Sequence, residues 1–70
     1  MNEQERLLVG LILLHGGAFT DKQMREHYRF NTDIAGGTVL SARRKGYIEF
    51  TSAPGIEYVV TEKGKEQFEK

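Results

Sequence analysis

Arginine and lysine are concentrated in one stretch of this chain. Lys22, Arg25 and Arg29 form one group, and Arg43, Arg44 and Lys45 follow one another in a second. Asp21, Glu26 and Asp33 are the only acids among them, so residues 21–45 are the one net-positive block of a chain whose formal net charge is zero. Elsewhere Arg6 is outweighed by Glu3 and Glu5, residues 46–61 carry Glu49 and Glu57 with nothing basic, and residues 62–70 balance. A cation that neutralises a phosphate releases condensed counterions and fixes the orientation of the element that carries it. Backbone phosphate contact is therefore the chemistry these six side chains suit. The competing reading is a solvated face whose last three cations complement the negative end of a helix dipole.

No other chemistry is written into the residues. With no cysteine there is neither a disulfide nor a thiolate zinc site, and His15 and His27 are too far apart in sequence to form a metal site alone. Neither histidine has converging partners for acid–base work. Gly16-Gly17 and Gly36-Gly37 lack the pattern of a phosphate loop. No catalytic residue, metal or cofactor is expected.

The elements that position the cations follow from apolar spacing and caps. Leu7, Leu8, Leu11, Ile12 and Leu14 give a first helix over residues 3–15, with Glu3, Gln4 and Glu5 at its positive end and His15-Gly16-Gly17 as its stop. Thr20 is placed to cap a second helix over about 21–29 by accepting from the Gln23 N–H, with Asp21 in its first turn and Met24 and Tyr28 on one face. Asn31 is a cap candidate for a third helix that turns Ala35, Val39 and Ala42 inward and stops at Gly46. Tyr47 to Thr51 and Ile56 to Thr61 suit two strands around an Ala53-Pro54-Gly55 turn, and Thr61 caps a last helix anchored by Phe68.

Thr20 to Glu49, with Met24, Tyr28, Phe30, Ala35, Val39 and Ala42 at apolar positions, resembles the winged helix-turn-helix of the MarR and PadR regulator families. Lys45-Gly46-Tyr47-Ile48 resembles their link from recognition helix to wing, and Thr61-Glu62-Lys63-Gly64 their lead into the next helix. The likeness covers about two-thirds of the chain. It implies an α+β winged helix-turn-helix in minimal form: three helices, a two-stranded β-hairpin wing and a short C-terminal helix, in one domain spanning residues 1–70. It also implies a third helix in the DNA major groove, and a DNA-facing set of Lys22, Arg25, Thr32, Asp33, Gly36, Gly37, Leu40, Ser41, Arg43, Arg44 and Lys45.

That set departs from the family pattern. Asp33, Gly36, Gly37, Leu40 and Ser41 stand where base-reading side chains project, and the wing tip Ser52-Ala53-Pro54-Gly55 has no cation for a minor groove or phosphate. Two glycines inside a helix would each cost about 1 kcal/mol relative to alanine, a cost explained either by close approach of a backbone, a phosphate or a partner helix, or by plain tolerance in a small protein.

Seventy residues with 39% apolar content supply one small core. A domain of this size buries only about 60% of its unfolded surface, which leaves little room for a ligand cavity or an enzyme cleft. Helix 1 is more apolar than one buried stripe needs, so Val9 and Leu13 are expected to form a face for a homodimer, the alternative being a central helix wrapped on all sides. Tyr47, Phe50 and Tyr58 read as wing packing rather than base-stacking groups. Leu7 to Leu14 is too short to span a bilayer, and a cytoplasmic location is expected. Two functions remain open: a small DNA-binding transcriptional regulator acting on double-stranded DNA, and a protein-interaction module that uses a bare third helix, Leu40 and an acidic wing to dock on a protein partner.

Overall fold

A computed structural model of the protein describes residues 1–30, 34–52 and 55–70, with residues 28–30 described as backbone only. The elements in chain order are α1 (Glu3–Leu14), β1 (Ala18–Thr20), α2 (Asp21–Phe30), α3 (Thr38–Arg44), β2 (Ile48–Thr51), β3 (Glu57–Val60) and α4 (Glu62–Glu69). This is a small α+β fold with four helices and one antiparallel three-stranded sheet of order β1-β3-β2.

Local chemistry sets most of the boundaries. Asn2 caps α1 by accepting from the Glu5 N–H at 2.8 Å, and its own N–H returns a bond to Glu5 Oε1 at 2.9 Å, a reciprocal capping box. Gly16 and Gly17, at φ 86° and 92°, take the left-handed turn that ends α1. Thr20 Oγ1 accepts from the Gln23 N–H at 3.1 Å, the expected cap, and Gln23 Oε1 accepts from the Thr20 N–H at 2.9 Å. Thr61 caps α4 by accepting from the Gly64 N–H at 3.0 Å while its hydroxyl donates to the Gly46 carbonyl at 2.6 Å. One threonine thus starts a helix and ties it to the turn after α3.

The sheet differs from the expected two-stranded hairpin by β1. Ala18 pairs with Val59 and Thr20 with Glu57, so β3 lies in the centre with β2 on its other side, where Ile48 pairs with Val60 and Thr51 with Glu57. Three residues are too few for alternation to stand out, and β1 exists because β3 offers it a second hydrogen-bonding edge.

The core joins Leu8, Val9 and Ile12 of α1 to Phe19, Met24, Ile34, Ala42, Tyr47, Ile48, Tyr58 and Val60. Tyr47 and Tyr58 are buried, and the Phe50 and Tyr58 rings meet edge to face at 4.7 Å, so the aromatic residues do pack the hairpin. Gly64 is required by space: a Cβ there would lie 2.2 Å from the Tyr47 carbonyl oxygen. It lets α4 close on the junction between α3 and β2.

Two expectations need correction. Val9 is 0% exposed, since α1 packs against α3, the sheet and α4 together. Leu13 is also partly buried against the core, and the apolar surface that α1 leaves open is Leu7 and Leu14, at 44% and 82% exposure. The third helix is shorter than expected: it begins at Thr38 with Gly37 at its cap, so Ala35, Gly36 and Gly37 precede it. The glycines interrupt no helix and carry no mid-helix cost. Asn31 as a cap, the Tyr28 and Phe30 side chains, and Ala53-Pro54 at the hairpin turn lie outside the described residues.

Candidate nucleic-acid interface

The position of α3 is set at its inner face. Thr38 and Ala42 are buried, Val39 packs against the core, and Ser41 points to α1. There Glu5, with no exposed surface, receives the Ser41 hydroxyl at 2.5 Å and the Lys45 ammonium at 2.9 Å, in addition to the Asn2 N–H. Burial alone would raise the carboxyl pKa. The Ser41 and Asn2 hydrogen bonds, with the hydrogen bond and charge of Lys45, outweigh burial and hold it at about 2. Gln4 Oε1 accepts from the Ala35 N–H at 2.6 Å, which ties the segment before α3 to the same end of α1. The sequence signal for this cluster was Asn2 three residues before Glu5, a capping-box spacing that sequence reasoning passed over.

This arrangement divides the cations following α3. Lys45 is committed to Glu5, although its side chain remains 48% exposed. Arg43 and Arg44 are exposed, and among the described residues neither forms an ion pair. The Arg43 guanidinium lies 4.4 Å from the centre of the Phe50 ring, a cation–π contact that holds it beside β2. Leu40, 58% exposed, shares a shallow depression with the two arginines. Leu40, Arg43 and Arg44 thus form the outward surface of α3, whereas Ser41 faces inward.

The remaining members of the expected set are dispersed. Lys22 is exposed on α2, and Arg25 pairs with Asp21 at 2.7 Å, the other Asp21 oxygen accepting from the Tyr58 hydroxyl at 3.0 Å. α2 packs on β1, whereas α3 packs on α1 and β2, so the two cation groups are held by different neighbours. Gly36 and Gly37 are exposed at the approach to α3, neither has a positive φ, and a Cβ on either would meet nothing within 4 Å. Neither backbone geometry nor space within the described residues demands glycine there. Thr32, Asp33 and the Arg29 side chain lie outside the described residues.

The chain matches no protein-family model, no curated protein and no solved structure. The hairpin contributes no described cation, and Glu49 is exposed on β2. His15 stacks on Phe19 with ring centres 4.7 Å apart. No described helix is long and apolar enough to cross a membrane.

Proposed function

We propose that this chain is a winged-helix DNA-binding domain of the transcriptional-regulator kind. In this reading α3 approaches the major groove, with Arg43 and Arg44 on the phosphate backbone. The observation that carries it is the outer surface of α3, where two adjacent arginines, without acidic partners among the described residues, flank an exposed leucine. The order helix, strand, helix, helix, strand, strand, with the first strand closing on the hairpin, supports the winged-helix assignment. In this reading the exposed Leu40 touches a thymine methyl group, and sequence preference beyond it comes from DNA shape.

The same surface supports a second reading. Leu40 is large, apolar and more than half exposed, and Glu49 brings a carboxylate to β2, a combination that suits docking on a protein.

Fluorescence anisotropy of a labelled random-sequence duplex at several salt concentrations separates the two. Binding that weakens steeply with salt counts the phosphates neutralised. Arg43→Ala combined with Arg44→Ala lowers affinity for all sequences and reduces the salt slope by about 2. Absence of binding at low salt, or an unchanged slope in the double variant, removes the DNA reading and leaves protein docking.

A further inference from the structure

The orientation of Arg43 is fixed from behind. Its guanidinium lies 4.4 Å from the centre of the Phe50 ring, and that ring is braced by Tyr58, edge to face at 4.7 Å. A guanidinium is planar and weakly hydrated, so one stacked on an aromatic ring keeps a second face for another flat group. The same residue borders a depression of about 260 Å³ whose other sides are Leu40, which is exposed, and Arg44. That volume falls below the range of about 300–1,000 Å³ that buries a drug-sized molecule, and it suits a single flat ring with an anion beside it.

We propose that this depression binds an unpaired nucleotide of a single-stranded nucleic acid, its base between the Arg43 plane and Leu40 and its phosphate on Arg44. This binding rests on the reading of the α3 surface as a nucleic-acid interface and adds which form of nucleic acid it takes. A paired base offers only its edges in the grooves, because neighbouring pairs cover its faces. A site walled by a guanidinium plane and a leucine takes a face, and faces are open where bases are unpaired. Arg44 is exposed and has no acidic partner among the described residues, so a phosphate oxygen pairs with it directly. The hairpin supplies no described cation for the flanking groove of a duplex, and Glu49 is exposed on it. Phe50 stays a packing group, since it serves the site by holding Arg43 flat. With the plane already held, less side-chain freedom is lost when the base arrives.

The test is fluorescence anisotropy of the full chain with three labelled probes of equal length at several salt concentrations. They are an oligodeoxyuridine, an oligouridine that differs from it only in the 2′-hydroxyl, and the duplex of the first with oligodeoxyadenosine. Charge alone favours the duplex, whose phosphates are denser. Tighter binding of a single strand therefore reports a base in the site, and the strand preferred identifies the sugar. Arg43→Lys keeps the charge and loses the plane. It weakens single-strand binding by about tenfold, which is about 1.4 kcal/mol, and leaves the salt slope unchanged. Leu40→Ala removes the opposite wall and weakens binding as well, whereas Arg44→Gln reduces the slope by about 0.7. All three side chains are exposed, and circular dichroism melts check that each variant is folded. A duplex bound at least as tightly as both single strands, or single-strand affinity unchanged in Arg43→Lys or Leu40→Ala, overturns the nucleotide site while duplex binding keeps the regulator reading. Absence of binding to all three probes removes both.

Discussion

Glu5 and Lys45 stand forty positions apart in sequence and meet at 2.9 Å, with the carboxylate fully buried and the ammonium half in solvent. The pair closes the cluster in which Asn2 and Ser41 complete the carboxylate's hydrogen bonds. It joins the start of α1 to the end of α3, and so holds the helix whose other surface carries Arg43 and Arg44.

Acid should loosen that joint. The Glu5 pKa is lowered from 4.5 to about 2 in the folded protein, so its stabilisation is complete above 4.5 and is lost as pH falls towards 2. The expected contribution near neutrality is on the order of 2–3 kcal/mol, allowing for the solvent around Lys45. Urea unfolding of wild type and Glu5→Gln over this pH range checks it: a stability gap present at pH 6 should shrink as Glu5 is protonated. A gap independent of pH would mean that the carboxylate charge contributes nothing.

Glycine should matter at one position and not at another. Gly64→Ala drives a methyl group into the Tyr47 carbonyl and should cost about 2–3 kcal/mol, since a backbone atom has to move. Gly37→Ala meets open space at φ −74° and should be neutral or stabilising by about 0.4–1 kcal/mol. Thermal melts of the two variants provide the comparison, and equal losses would contradict the placement of Gly64 against Tyr47.

Adjacent cations should separate in their effects. Lys45→Gln removes a partner from buried Glu5 and should lower the unfolding midpoint in urea, with little change in the salt dependence of DNA binding. Arg44→Gln should do the reverse, leaving stability within about 0.5 kcal/mol and reducing the salt slope by about 1. If both substitutions changed the slope equally, Lys45 would be a phosphate ligand despite its bond to Glu5.

The elements legible in the sequence were those determined by neighbouring residues. Thr20 and Thr61 each announce a helix start through a side-chain oxygen three positions from the N–H it receives, and Gly46 marks the end of α3 by its left-handed turn at φ 84°. What could not be read locally was made by distant partners. β1 depends on the far edge of β3, Glu5 on Ser41 and Lys45, and the burial of Val9 on three elements closing around α1. The site was partly legible for the same reason. Arg43 and Arg44 were identifiable by charge alone, but nothing near Ser41 or Lys45 revealed that their side chains were already engaged.

The central place of β3 bears on how the chain acquires its structure during synthesis. Ala18 leaves the ribosome well before its strand partner Val59, which brings with it the core side chains of Tyr58 and Val60. Loop-closure entropy must be spent before these distant contacts return anything. The helices emerging first have no sheet on which to settle, and the cooperative unit forms only when nearly all of it has been made.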